Sequence, residues 1–169
     1  MSDITATGNG MLDILQAISE LSQVEVLVGV PEGEARSDAG ELSNAAIGYL
    51  LETGSPAMNL PARPHLALGV EEVQEDVAER LTKAVDAALS GNSKRMYLYL
   101  ESAGMKATMS VKRVINSGDF APLAPLAPFT IKERKRRGRK SEKPLIDTAQ
   151  YRNSHTYIIK KGDKEIKRA

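Results

Sequence analysis

The sequence has no cysteine among its 169 residues, which excludes disulfide bonds and thiolate-ligated metal sites. It has no tryptophan and only two phenylalanines, so a hydrophobic core must be built mainly from aliphatic side chains. No apolar run approaches the roughly 20 residues that a membrane-spanning helix needs. The first residues lack a basic segment followed by an apolar one, so we expect no signal peptide. We therefore expect a soluble chain, made in the cytoplasm, with no membrane partner.

Charge is divided unevenly along the chain. Residues 1–129 carry 9 Lys/Arg and 17 Asp/Glu, a net charge of −8, whereas residues 130–169 carry 14 Lys/Arg and 5 Asp/Glu, a net charge of +9. Such asymmetry indicates nucleic acid or a charged protein surface as a partner. It also fits a chain whose basic end lies against the acidic body of the next copy. Sequence alone leaves these alternatives open.

Apolar residues that recur every three or four positions predict four helices. The first covers residues 11–21, and the second begins at Asn44, is capped by Ser43 or Asn44, and is ended by Gly54. Two longer helices are predicted from about residue 70 to 88 and from about 97 to 116, with a break at Ser90-Gly91-Asn92 between them. Two long helices joined by so short a break most often form an antiparallel hairpin.

Alternating apolar residues predict strands near both ends of the chain. Residues 24–30 alternate valine with other side chains and end at Pro31, and residues 155–168 read as a strand, a turn at Gly162-Asp163 and a second strand. The predicted fold class is therefore α+β. We expect a small antiparallel sheet packed on the two long helices, together with a long Pro-rich basic loop.

That loop covers residues 118–143, which follow neither period. Prolines recur every three residues, at Pro122, Pro125 and Pro128, and eight Lys/Arg then fall within residues 132–143. Irregular stretches of this length are uncommon inside a compact domain and are usually functional or disordered. We therefore predict one α+β domain formed by residues 1–117 and 144–169, with residues 118–143 inserted in it as an extended arm.

Catalytic signals are weak throughout the chain. The stretch "LIDTA" approaches the D-T-G of aspartic proteases, but Ala149 stands in place of the glycine and such enzymes need a second carboxylate. We expect Asp147 and Thr148 to form a structural turn instead. His65 and His155 have no metal-ligand spacing around them, so His65 is taken as a packing residue and His155 as the start of a strand. We predict no catalytic residue, no metal, no cofactor and no enzymatic activity.

The basic run "KERKRRGRK" is the strongest functional feature. Lys and Arg at this density can neutralise phosphates and release their counterions. No aromatic residues interleave with them to stack on bases, however, and basic runs are often only solvated. An acidic protein partner, DNA and a solvated loop all remain open on this evidence.

Three longer blocks share a pattern with a known family. They are "VLVGVPEG" at 26–33, "NAAIGYLLETGSPAMNLPARPHL" at 44–66 and "PLAPFTIKERKRRGRKSEKPLIDTAQYRNSHTYII" at 125–159. In these blocks the chain resembles the tail-completion or head–tail joining (neck) proteins of tailed bacteriophages. The matching positions are Asn44, Glu52, Gly54, Pro61, Ala62, Arg63, Pro64, Pro128, Thr130, Ile131, Pro144, Leu145, Ile146, Asp147, Thr148, Arg152, Ser154, Thr156 and Tyr157. The chain departs from the pattern at four positions, where His65 replaces Phe, Ala149 replaces Gly, Tyr151 replaces Leu and His155 replaces Ile. We expect these departures to loosen the turn after Asp147 and the packing of the returning strand.

The resemblance implies a structural virion protein, made in the host bacterial cytoplasm, that joins the DNA-filled head to the tail. Its implied partners are further copies of itself in a ring, commonly six-fold, other neck, portal-adaptor and tail proteins, and genomic DNA passing through the lumen. The arm would then bind a partner or face the channel. Its predicted residues are Pro122, Pro125, Pro128, Phe129, Lys132, Arg134, Lys135, Arg136, Arg137, Arg139 and Lys140. The alternatives are a DNA-binding module and a minor tail component.

Overall fold

The computed structural model describes residues 9–32, 43–117, 126–139 and 149–168 of the protein. Within these ranges the chain forms seven α-helices and one three-stranded antiparallel sheet, which confirms the predicted α+β class. The elements follow one another as α1 (Asn9–Leu21), β1 (Val24–Gly29), α2 (Asn44–Thr53), a 3-10 turn (Pro56–Met58), α3 (His65–Glu71), α4 (Gln74–Leu89), α5 (Ser93–Ser117), α6 (Pro128–Arg136), α7 (Gln150–Asn153), β2 (Thr156–Lys161) and β3 (Lys164–Arg168).

The sheet joins the two ends of the chain, as the alternating patterns predicted. Its strand order is β1-β2-β3, with β2 in the centre and both pairs antiparallel. Val26 lies opposite Ile159 and Val28 opposite Tyr157, so these four side chains share one face. That face packs on α5. Because β2 follows α7 directly, the sheet holds α7 beside α5.

Helix α5 is the element around which the others assemble. It packs along α4 in the predicted hairpin, and it also contacts α3, β1, β2 and α7. Two glycines bring neighbours unusually close to it. A Cβ atom at Gly104 would lie 2.6 Å from the Tyr157 ring, and one at Gly69 would lie 2.6 Å from the Val111 Cα. The sheet and α3 can therefore approach α5 only because these positions have no side chain.

The predicted helix from residue 70 to 88 is wrong in one respect, because the chain breaks between α3 and α4. Val73 has a φ of −120° and a ψ of 18°, outside the helical region, and its side chain is buried. The apolar period continues across the break, so the pattern did not reveal it. The break lets α3 and α4 each pack against α5, and α3 does so through Gly69.

Most buried apolar side chains of the described residues fall into two clusters. One lies between α4, α5 and the sheet and contains Ala84, Ala87, Ala88, Met96, Leu100, Tyr157 and Ile159. The other lies where α2 and α3 meet the end of α5 and contains Val111, Val114, Ile115 and Tyr151. Tyr151 comes from α7, so the second cluster ties the C-terminal segment to the α2–α3 corner.

Replacing Gly104 by alanine will lower the free energy of unfolding by about 1–3 kcal/mol. The added methyl group would meet the Tyr157 ring, and neither α5 nor β2 can move away without losing other buried contacts. Gly10→Ala is the matched control, since it also lies in a helix but has nothing within 4 Å of the added atom. Urea denaturation of both variants measures the difference, and equal effects would contradict the close approach.

Candidate functional site: two exposed surfaces and a buried ring cluster

The predicted arm and turn residues divide into two groups. Pro122, Pro125, Lys140, Asp147 and Thr148 lie outside the described residues, so their roles stay predictions. The others lie on α6 or just after it, namely Pro128, Phe129, Lys132, Arg134, Lys135, Arg136, Arg137 and Arg139.

The expectation that residues 118–143 lack regular structure is wrong for Pro128–Arg136, which form α6. Pro128 begins the helix, where its fixed φ is suitable and its missing N–H is not needed. Basic residues fill the last turn, where the helix dipole favours positive charge. Gly138 follows with a φ of 72°. These are ordinary helix signals, but the segment lacks the apolar stripe by which the other helices were predicted.

The two sides of α6 differ in exposure. On the inner side, Arg134 is half-buried and lies close enough to Arg63 that burial and then the charge of Arg134 lower the pKa of that guanidinium. On the outer side, Phe129 is 77% exposed and Lys132 follows one turn later. Glu133 accepts hydrogen bonds from Arg136 and Arg137 at 2.9–3.0 Å, which hold the pKa of its carboxyl below the usual range. The helix thus presents an aromatic side chain among cations.

A second surface is the apolar face of α1. Five large apolar side chains of this 13-residue helix are between 46% and 72% exposed, namely Met11, Leu12, Ile14, Leu15 and Ile18. Helix α1 contacts α4, and towards its end Leu21 packs on the core and Glu20 pairs with Lys161 of β2 at 2.8 Å. The sequence predicted this helix as amphipathic, but the pattern did not reveal that most of its apolar face would be uncovered.

Three aromatic rings meet beneath the α2–α3 corner and form what we call the ring cluster: His65, Tyr151 and His155. All three are buried, and their centroids lie 4.8–5.5 Å apart in edge-to-face contacts. His65 begins α3, Tyr151 lies on α7, and His155 immediately precedes β2. Sequence reasoning treated the two histidines separately, because nothing local shows that residues about 90 positions apart are in contact.

Hydrogen bonds identify the tautomer of His65. Its Nδ1 lies 2.8 Å from the carbonyl oxygen of Arg63 and 3.1 Å from Oε2 of Glu52, both acceptors, so Nδ1 carries the proton and donates. Its Nε2 then accepts a hydrogen bond of 2.6 Å from the Tyr151 hydroxyl. In the same way, His155 Nδ1 donates to the carbonyl oxygen of Tyr151 at 3.0 Å. The result is a connected chain from Glu52 to His65 to Tyr151.

Burial sets the protonation of the ring cluster. It lowers the pKa of His65, against the opposing effects of the Arg63 carbonyl and the Glu52 charge. Burial, with a contribution from neighbouring His65, lowers the pKa of His155 to about 4. The pKa of Tyr151 is raised, chiefly by burial. At neutral pH all three rings are therefore uncharged. The buried Tyr151 hydroxyl lies against His65 and Gly48, so Tyr151 holds α7 against the corner between α2 and α3.

The ring cluster contains three of the four positions at which the chain departs from the neck-protein pattern. We expected these departures to loosen the returning strand, and that stays a prediction; in the structure Tyr151 and His155 are buried against His65. The fourth departure, Ala149, has a φ of 63° and a ψ of −2°, a left-handed conformation that favours glycine.

The residues that match the pattern around α2 have structural contacts. Glu52 accepts hydrogen bonds from the backbone N–H groups of Leu66 and Ala67 in the first turn of α3, at 3.0 and 2.9 Å. Gly54 has a φ of 75°, and a Cβ there would lie 2.7 Å from the backbone nitrogen of Ala62. These contacts fix the corner between α2 and α3.

Other kinds of site find little support in the described part of the chain. It contains no group of three or more His, Asp or Glu side chains that could hold a metal ion, and none of its helices is long and apolar enough to cross a membrane. Comparison with known proteins shows no match to any family model, any curated protein or any solved structure.

Acidification will destabilise the protein through the ring cluster. An unfolded histidine has a pKa near 6.5, so between about pH 6.5 and 4 the unfolded chain binds more protons and stability falls as pH falls. For His155 the expected loss by pH 4 is roughly 3 kcal/mol. His155→Phe keeps a ring, and the Tyr151 carbonyl keeps its 2.7 Å hydrogen bond from Ser154. Unfolding at several pH values should show a shallower loss in this variant, and identical slopes would exclude a titrating His155.

Ala149→Gly will raise the free energy of unfolding by about 0.5–1 kcal/mol. The left-handed conformation costs a non-glycine residue about 1–2 kcal/mol, and the greater freedom of glycine in the unfolded chain offsets part of that gain. Ala78→Gly, on the exposed face of α4, is the control and should lose about 1 kcal/mol. Thermal denaturation distinguishes the two, and a loss at both positions would contradict the assigned strain.

Proposed function

We propose that the protein is a structural virion protein of a tailed bacteriophage, which forms a ring at the neck and joins the DNA-filled head to the tail. The three sequence blocks that resemble the tail-completion and head–tail joining family support the place of action. The observation that carries the assembly role is the uncovered apolar face of α1. Soluble monomers seldom leave so many large apolar side chains together in water, so such a face is typical of an assembly contact.

The local geometry supports a scaffold role better than a catalytic one. Glu52, whose carboxylate would be the natural partner of a catalytic histidine, is bound to the N-terminal turn of α3. The Tyr151 hydroxyl at the other end of the hydrogen-bonded chain is buried and packed against Gly48. Glu52, His65 and Tyr151 connect the C-terminal segment to α2 and α3. Such a connection is expected of a protein that transmits mechanical force between neighbouring subunits.

The cations of α6 favour a second candidate, a DNA-binding module. Six Lys/Arg and one Glu lie within residues 126–139, a density that suits phosphate contacts. Two of the arginines, however, are engaged by Glu133 within the helix, and Phe129 is the only aromatic residue of this range. Duplex binding by the isolated protein, with affinity falling steeply as salt rises, would favour this candidate.

Charging the α1 face will prevent head–tail joining without unfolding the protein. Leu15→Glu and Ile18→Glu place carboxylates on side chains about half exposed, so each should change the free energy of unfolding by less than about 1 kcal/mol. The same charges would be buried in an assembly contact, at a cost of several kcal/mol. Phage carrying both substitutions should accumulate DNA-filled heads and separate tails, seen by electron microscopy.

Met58→Glu is the matched control, since Met58 is 63% exposed on the 3-10 turn, away from α1. Particles with this substitution should join normally. If phage with charged α1 faces join heads to tails as efficiently as the control, the proposed function loses the observation that carries it.

A further inference from the structure

Helix α6 is too short and too little covered to be stable by itself. It has nine residues and none of them is buried, and no other described helix or strand packs extensively against it. Isolated helices of fewer than about 12–15 residues are marginal in water. Its outer side nevertheless exposes Phe129, the most exposed large apolar side chain of the described residues. These features are expected of a helix that completes its contacts on another surface.

The outer side of α6 has a definite chemical character. Phe129 and Lys132 are three residues apart, so they lie on the same side of the helix, and Arg136 follows one turn beyond Lys132. Lys132 is exposed and takes part in no ion pair among the described residues. The surface that binds the outer side of α6 should therefore offer an apolar depression for Phe129 next to negatively charged side chains.

A groove of this kind lies at the ends of α3 and α5. Its volume is about 400 Å³, and its described lining has an apolar floor of Leu68 and Val114 beside Glu71 and Glu72. Glu72 is paired with Arg113 and accepts a hydrogen bond from Ser110. Glu71 is exposed and takes part in no ion pair within the described ranges, so it is available to a cation from outside.

The residues that follow Glu71 in sequence also carry charge opposite to that of α6 and its flanks. Residues 71–79 contain five acidic side chains and no basic one, whereas residues 126–139 contain six basic side chains and one acidic one. Glu75, at the start of α4, is exposed and unpaired in the described structure in the same way as Glu71. Opposite charges of this kind steer two surfaces together and fix their register.

We propose that α6 of one copy docks in the α3–α5 groove of a neighbouring copy, with Phe129 on Leu68 and Val114 and with Lys132 facing Glu71. The proposal deepens the proposed function and rests on it, since it needs neighbouring copies. Helix and groove are different surfaces, so each copy gives one contact and receives one. Repetition of such a contact forms a ring when the rotation between copies closes and an open filament when it does not. A duplex would attract the same cations but would leave Phe129 and the apolar floor without partners.

Cross-linking between differently labelled copies tests the contact directly. The chain has no cysteine, so single introduced cysteines define the reacting sites. Ala127→Cys lies just before α6 and leaves Phe129 and Lys132 intact, and Ser117→Cys lies in the groove lining. We would mix the first protein, isotopically heavy, with the second and add a short bismaleimide. The heavy–light product should exceed severalfold that obtained with Ser90→Cys, an exposed serine at the end of α4.

Equal yields with Ser117→Cys and Ser90→Cys would overturn the proposal. So would a doubly substituted Ala127→Cys, Ser117→Cys protein that cross-links only within one chain, because α6 would then occupy its own groove. These outcomes leave the proposed function standing, whereas a wild-type protein that is monomeric at every concentration would remove both.

Charge exchange provides an independent test in the full-length protein. Lys132→Glu should weaken self-association about tenfold, since the attractive contact with Glu71 becomes repulsive. Glu71→Lys should do the same, and a protein carrying both changes should recover to within about threefold of the wild type in sedimentation velocity. No recovery in that protein would contradict the pairing. Loss of duplex binding with unchanged self-association would identify DNA as the partner instead.

Discussion

The contact of α5 with its neighbours at two glycines is the constraint on which the rest of the structure depends. Gly104 admits the Tyr157 ring of β2, and Gly69 lets α3 approach the backbone at Val111. These contacts place the start of α3 and the end of α7 on the same side of α5. The ring cluster forms where they meet. One glycine in α5 and one in α3 thus determine where the sheet and α3 are held against the long helix.

The ring cluster shows how a polar group can replace an apolar one in a core. A buried histidine is tolerated when its donor and acceptor both find partners, and His65 has three within 3.1 Å. The position of each ring depends on the other two, and a substitution that makes only His65 or only Tyr151 apolar would leave a polar atom of the other without its partner. Because the rings must stay uncharged, the closed corner is tied to neutral pH in a way that an apolar trio would not be.

Local patterns predicted much of the fold and little of the surfaces. The strands and the two long helices followed from short-range periodicity, because alternation and a step of three to four depend only on near neighbours. The break at Val73 was not predictable, since Val70 and Val77 keep the period on both sides of it. The contact of His65 with Tyr151 joins distant segments and leaves no local signal. Periodicity likewise showed that α1 is amphipathic, but which side chains remain uncovered depends on tertiary packing.

The apolar face of α1 and the outer side of α6 both agree with one interpretation. In it, copies of this protein associate through side chains that remain exposed in the monomer. The apolar face of α1 and the cationic outer side of α6 are both present before any partner binds. The most direct measurement is the native mass of the purified full-length protein over a range of concentrations. The account predicts a discrete species whose mass is at least twice 18.3 kDa and a whole-number multiple of it. A single species of 18.3 kDa at every concentration up to the solubility limit would contradict it.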